Sequence, residues 1–287
     1  MKYCIVVLGI IFMITSCSAP KGVKEYGKLL KNGKVEQKSF KKTISFEYRK
    51  GLIVLPVEIK GKTYQFVLDT GASNVITKEL QKELQLEVIG KQPIGGSENE
   101  TKNQDIVAFD NVSIAGLDFK KTIGAVVDLN AVPVLRSLKI DGIIGSNLMR
   151  HAIWDFNFPQ KTITITNSEK TLDIPKTFKK SKFFIGYQGA PFVTTKVNGE
   201  RILSTTIDFG YNGSVKMARK HFNVLNNKQK LGKYIEGNGS DGTGVYGAEK
   251  TNKLYKVKTD KFEFGNLSFK NTIICLLYTS PSPRDRG

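Results

Sequence analysis

The sequence contains few of the residues that build disulfide scaffolds and metal sites. Its 287 residues include three cysteines, two histidines and one tryptophan. The cysteines, Cys4, Cys17 and Cys275, lie far from the histidines, and there is no His-Glu-x-x-His motif. This pattern predicts no disulfide framework, no metal site and no cofactor. His151 and His221 each stand beside a basic residue and are expected at the surface.

Acidic residues are also scarce relative to basic ones. The chain has 26 Asp and Glu against 44 Lys and Arg, which gives a formal net charge of +18. The lysines are spread through the chain and do not form the concentrated basic stripe or motif that nucleic-acid binding requires. The charge is better matched to a surface facing anionic lipid or an acidic polymer.

The N terminus has the pattern of an export signal. A charged start is followed by an apolar run of the length of a signal-peptide core, ending at about Ile14. The segment Ile14-Thr15-Ser16-Cys17 resembles the lipobox of bacterial lipoproteins, in which the cysteine carries the lipid. Residues 1–17 are therefore predicted to be a lipoprotein signal, and residues 18–42, polar and rich in Lys and Gly, a tether. An ordinary signal peptide with a chance cysteine is the alternative.

An apolar run delivers one carboxylate into a glycine-containing turn at Phe66-Val67-Leu68-Asp69-Thr70-Gly71-Ala72-Ser73. The strand is expected to desolvate Asp69 and raise its pKa, and Gly71 lets backbone amides approach the carboxylate. A capping aspartate at the end of a strand is the plain structural alternative.

A second apolar run, Ile140-Asp141-Gly142-Ile143-Ile144-Gly145-Ser146, follows about seventy residues later. Together the two segments resemble the retropepsin-like and pepsin-like aspartic peptidases, over residues 48–166. The resemblance implies an all-β fold in which the second run threads beside the first. A short helix is predicted over Thr77–Leu86, another after Gly145, and a hairpin over 153–165.

The chain also repeats itself. Residues 110–123 match residues 260–273 at an offset of 150, with Asp, Leu, Phe, Lys, Thr and Ile in common. The repeat predicts two related β-barrel-like lobes with short helices, 43–170 and 171–274. Residues 275–287 resemble a translated sequencing adapter, so the second lobe is expected to lack its closing strand near residue 280.

Aspartic peptidases need two carboxylates facing one water molecule, and each lobe supplies one. The resemblance makes Asp69 and Asp208 the catalytic pair, supported by Thr70, Gly71, Ala72 and Gly210 in the two turns. Phe209 stands where the family has a hydroxyl residue, so Asp208 is either a working partner or a relic. If it is a relic, a homodimer would pair two copies of Asp69.

The resemblance implies a flap over the cleft in each lobe, and the glycine-rich segments place it at Gly95 and Gly96 in the first and at Gly242 and Gly244 in the second. The Gly-x-Gly-x-x-Gly spacing from Gly237 does not follow a strand and open a helix, so a dinucleotide site is not predicted. Tyr246 is either a cleft residue or a surface aromatic.

The resemblance thus implies an aspartic endopeptidase that acts on peptide or protein substrates. The predicted lipid anchor places it at the bacterial envelope membrane, facing the periplasm. The alternative is an inactive peptide-binding or scaffold lipoprotein on the same fold.

Overall fold

The computed structural model describes residues 21–95, 101–186, 188–213, 215–239, 243–244, 246–248 and 252–277. Most of these residues lie in strands, and the few helices are short. The all-β prediction is confirmed.

The N-terminal lobe contains twelve strands, four α-helices and two single-turn 3-10 helices, Leu129–Ala131 and Glu169–Thr171, among the described residues. The strands are β1 (Lys34–Val35), β2 (Lys41–Ser45), β3 (Glu47–Arg49), β4 (Leu52–Ile59), β5 (Lys62–Asp69), β6 (Val75–Ile76), β7 (Val88–Gly95), β8 (Thr101–Ile114), β9 (Leu117–Val126), β10 (Gly142–Gly145), β11 (Ile153–Asn157) and β12 (Thr162–Thr166). The helices are α1 (Lys21–Leu29), α2 (Lys78–Glu83), α3 (Pro133–Ser137) and α4 (Ser146–Met149).

Nine of these strands form one sheet in the order β1-β9-β6-β10-β5-β4-β8-β7, with β3 on β4. Because β8 pairs with β9 as well as with β4, the sheet folds back on itself like a barrel. Strands β11, β12 and β2 form a separate antiparallel sheet, which contains the predicted 153–165 hairpin. The helix predicted from Thr77 is present but shorter, because Thr77 caps its first turn and the helix ends at Glu83.

Strand β10 threads between β5 and β6, parallel to the first and antiparallel to the second. The close packing of this strand explains why its sequence contains glycine at positions 142 and 145. A Cβ on Gly142 would lie 2.2 Å from the ring of Phe66, and one on Gly145 would lie 2.2 Å from the Ser73 carbonyl carbon. Only glycine therefore lets the threaded strand approach the Asp69 turn this closely.

The prediction that residues 18–42 form a tether was wrong for most of this segment. From Tyr26 onward this segment packs on the lobe, with Tyr26 and Leu30 buried among the apolar residues of the core. Strand β1 pairs with β9, and β2 pairs with β12. The polar composition concealed two apolar side chains at a four-residue spacing, which is enough to bury one face of α1.

The C-terminal lobe repeats the order of elements seen in the first. Its elements are β13 (Phe184–Ile185), β14 (Pro191–Val197), β15 (Glu200–Thr206), β16 (Val215–Met217), α5 (Arg219–Asn227), β17 (Tyr234–Gly239), β18 (Thr243–Gly244), β19 (Gly247–Ala248), β20 (Asn252–Phe264) and β21 (Leu267–Leu277).

The two lobes also share hairpin register. Val112 pairs with Phe119 in β8–β9, and Phe262 pairs with Phe269 in β20–β21, which preserves the offset of 150 seen in the sequence. The counterpart of β10 is expected near residue 280, outside the described residues. Within the described part of the chain, no helix has the length and apolar character needed to span a membrane.

Candidate active site

Asp69 is the last residue of β5, where a buried strand reaches a turn. The preceding residues Phe66, Val67 and Leu68 are at most 2 % exposed, so the carboxyl group follows directly on an apolar core. Within the turn, the Gly71 amide donates to Asp69 Oδ1 over 2.7 Å. This bond fixes the orientation of the carboxyl group at the end of its strand.

Asp208 follows β15 in the second lobe and has the same local geometry. The Gly210 amide donates to Asp208 Oδ1 over 2.8 Å. The repeated bond shows that both lobes build the same aspartate turn, although the residues around it differ.

The two turns face each other, and their glycines make the approach possible. A Cβ on Gly71 would lie 2.7 Å from Asp208 Cγ, and a Cβ on Gly210 would lie 2.3 Å from Asp69 Cγ. Each glycine therefore contacts the carboxyl group of the opposite lobe. The structure thus brings Asp69 and Asp208 of one chain together, with Gly71 and Gly210 between them.

The pairing changes the protonation of Asp69. Burial, the charge of Asp208 and a hydrogen bond to the Asp208 side chain raise the pKa of Asp69 from 3.8 to about 7, against the opposing effect of the Gly71 and Ala72 amides. Two carboxylates this close cannot both ionise at low energy, so one proton is held by the pair at acidic pH.

Thr70 is buried between the lobes and bridges to the second turn. Its hydroxyl donates to the Ile207 carbonyl oxygen over 2.7 Å and accepts from the Phe209 amide over 3.0 Å. A single side chain therefore holds the backbone on both sides of Asp208.

The region behind the Asp69 turn contains two buried asparagines that the sequence analysis missed. The backbone N–H of Asn74 donates to Asn147 Oδ1 over 2.7 Å, and the backbone N–H of Gly145 donates to Asn74 Oδ1 over 2.8 Å. Both side-chain amides also donate to the carbonyl oxygen of Ile123. Because asparagine in a turn usually acts locally, nothing in the sequence indicated that these two residues pair across 73 positions.

The Ser146 hydroxyl also supports this region. It lies 2.9 Å from the carbonyl oxygen of Ala72 and 3.0 Å from that of Gln188. Ser146 thus holds the backbone of Ala72 in the Asp69 turn. Through the same hydroxyl it also connects this turn to the Gln188 carbonyl oxygen of the second lobe.

The predicted flap residues are only partly described. Gly95 ends β7 opposite Thr101 of β8, and Gly244 ends β18, whereas Gly96 and Gly242 lie outside the described residues. Tyr246, between β18 and β19, donates its hydroxyl to the Ile94 carbonyl oxygen over 2.7 Å. It therefore contacts the first-lobe hairpin and is only partly exposed.

His151 lies against the N-terminal segment that precedes β1. His151 Nε2 lies 3.1 Å from the Asn32 carbonyl oxygen, and burial lowers the pKa of the ring. Among the residues that the structure describes, no cluster of His, Cys, Asp and Glu is arranged to hold a metal ion. Cys17, the predicted lipidation site, lies outside the described residues.

Comparison with known proteins gives one family match. A family model described as aspartyl protease matches residues 55–148, from β4 to α4. A search of curated proteins found no match. Similar solved structures include a retropepsin-like aspartic protease from Rickettsia conorii, 18% identical with a TM-score of 0.34, covering 46% of this chain and 95% of that one. They also include Basic 7S globulin from soybean, 10% identical with a TM-score of 0.41, covering 81% of each chain.

The family match falls on the residues that build the site in the first lobe. It contains the Asp69 turn, the threaded strand β10 and the asparagine pair that joins them. The similarity to the aspartyl protease family thus lies in the part of the N-terminal lobe that carries Asp69, residues 55–148.

Proposed function

We propose that this protein is an aspartic endopeptidase that hydrolyses peptide bonds with Asp69 and Asp208 of one chain. The observation that carries the proposal is the facing pair of aspartate turns, in which each glycine contacts the opposite carboxyl group. An aspartate without a function would not be expected to keep the hydrogen bond from the Gly210 backbone amide or the contact with Asp69. This pairing favours an active site within one chain over a homodimer.

The surroundings of the two carboxyl groups indicate their roles. Asp69 is the partly buried member with the raised pKa, whereas Asp208 is exposed. In the proposed reaction, ionised Asp208 removes a proton from the attacking water, and protonated Asp69 donates its proton to the oxygen of the peptide carbonyl. As the resulting diol collapses, the C–N bond breaks and the leaving nitrogen takes the proton now on Asp208, while one diol hydroxyl returns a proton to Asp69 and the carboxylic acid product forms.

Cleavage of a peptide library by the full chain tests this proposal. Asp69→Asn and Asp208→Asn should each lower kcat by about 10²-fold to 10⁴-fold, because each removes one proton-transfer group. The activity should also fall as the pH rises through about 7, where Asp69 loses the proton it must donate.

Three results would contradict the proposal. An active Asp208→Asn protein would indicate that two copies of Asp69 pair in a homodimer, which sedimentation would detect. Absence of cleavage from acid to neutral pH, together with no binding of a pepstatin-type inhibitor, would favour a scaffold protein on the same fold. Activity that persists well above neutral pH would rule out a protonated Asp69.

We also propose that the enzyme is held at the bacterial envelope by a lipid on Cys17. The support is the apolar leader and the lipobox-like segment that ends at this cysteine. The net charge of +18 suits a protein held close to anionic lipid.

A further inference from the structure

The two aspartate turns are held in different ways. In the first turn the residue after the aspartate is Thr70, whose hydroxyl bonds to the backbone on both sides of Asp208. In the second turn the same position is Phe209. It has no hydroxyl, so its side chain cannot form the reciprocal hydrogen bonds with the backbone around Asp69. Hydrogen bonding from the side chain at this position is therefore one-sided.

The ring of Phe209 crosses into the first lobe. Its centroid lies 4.6 Å from that of Phe156 and 6.4 Å from that of Phe158, with interplanar angles of 60° and 65°. Distances and tilts of this kind are those at which aromatic rings attract each other edge to face. Phe158 in turn contacts the rings of Phe46 and Tyr48, so Phe209 joins an aromatic cluster of the N-terminal lobe.

The same ring packs against the main core of that lobe. In the part of the chain that the structure describes, every other member of this core comes from residues 35–165. Phe209 is thus a second-lobe side chain built into the first lobe, next to an aspartate that must face Asp69.

We propose that Phe209 is a positioning residue that holds Asp208 opposite Asp69 by inserting its ring into the aromatic cluster of the first lobe, in place of a second hydroxyl bond. The proposal rests on the proposed function, because positioning matters for a pair that acts together. Thr70 holds the backbone at residues 207 and 209, and the ring prevents the turn from moving away from the first lobe.

Three variants of the full chain test this role. Phe209→Ala removes the ring, and Phe209→Leu keeps an apolar side chain at the lobe junction. Phe222→Ala is the matched control, because Phe222 is also partly buried and contacts the rings of Tyr234 and Tyr255, but within the second lobe's own core. Phe222→Ala should therefore lower stability without moving Asp208.

The first measurement is kinetic. Phe209→Ala should lower kcat by about tenfold to a hundredfold and leave KM within about twofold, as expected when a catalytic group is misplaced. Phe209→Leu should recover most of the loss, and Phe222→Ala should leave kcat unchanged in the folded protein. A Phe209→Ala enzyme with the kcat of the wild type would overturn the proposal.

The second measurement does not need activity. Titration of the Asp69 carboxyl carbon by NMR should give a pKa of about 7 in the wild type and in Phe222→Ala. In Phe209→Ala the pKa should fall below about 7, because Asp208 moves away and its charge and hydrogen bond no longer add to the effect of burial. An unchanged titration in Phe209→Ala, or an equal fall in Phe222→Ala, refutes the role of Phe209. If the wild type cleaves no peptide, the proposed peptidase activity is contradicted. The titration still decides whether Phe209 positions Asp208.

Discussion

At the scale of single residues, the raised pKa of Asp69 links the site to stability. The pKa is about 7 in the folded chain against an ordinary value of 3.8, so the folded state holds a proton that the unfolded state has released between these two pH values. The free energy of unfolding should therefore be highest below about pH 4 and should fall as the pH rises toward 7, as far as this group determines it.

Asp69→Asn should remove this pH dependence, because asparagine has no proton to lose. We expect its melting temperature to exceed that of the wild type at pH 8 and to match it near pH 4, in thermal unfolding followed by circular dichroism. Asp110→Asn, which removes an exposed carboxyl in β8, is the control and should not reproduce this difference. A variant less stable than the wild type at pH 8 would show that the Asp69 carboxylate is not disfavoured by its surroundings.

Single residues also show what could be predicted. Two aspartate turns, with Asp69 and Gly71 in one and Asp208 and Gly210 in the other, were predicted from the first motif and from the internal repeat, and the structure contains both turns. The Asn74–Asn147 pair and the Tyr246–Ile94 contact were not predicted, since they join residues that only the fold brings together. Long-range hydrogen bonds leave no local pattern in the sequence, so these contacts could be identified only from the structure.

At the scale of elements, hairpins were the most predictable feature and α1 the least. The predicted 153–165 hairpin is present as β11–β12, and the repeated segments 110–123 and 260–273 fall on the β8–β9 and β20–β21 hairpins in the same register. Helix α1 lies in a polar, lysine-rich segment whose composition suggested a tether. Its position depends on the side chains of Tyr26 and Leu30, which enter a core that the remainder of the lobe forms.

The packing of α1 predicts a large effect from a small change. Leu30 is 1% exposed, so Leu30→Ala should lower the free energy of unfolding by about 2–5 kcal/mol. Urea unfolding monitored by the fluorescence of Trp154, which lies in β11 of the same lobe, would measure it. Lys28→Ala, at an exposed position of α1 two residues before Leu30, should change stability by less than about 0.5 kcal/mol. Equal stability of the two variants would restore the tether interpretation.

At the scale of the whole molecule, the proposed lipid anchor predicts where the protein is found. In a bacterial host that processes lipoproteins, the wild type should sediment with membranes and incorporate labelled fatty acid, and Cys17→Ser should do neither. Cys275→Ser is the matched control, because it removes a different cysteine and leaves the lipobox-like segment intact. Label retained in Cys17→Ser would place the lipid elsewhere or exclude this type of anchor.

The reciprocal contacts of Gly71 and Gly210 bear on how the two halves of the chain can diverge. The order of elements recurs in both lobes, as expected of a duplicated unit, and the copies now differ at the position occupied by Thr70 in one and Phe209 in the other. The adjacent glycines tolerate less change. A methyl group on Gly71 would clash with the carboxyl group of Asp208, and one on Gly210 would clash with that of Asp69. Each turn therefore restricts the sequence of the other, and a substitution at either glycine requires a compensating change across the cleft.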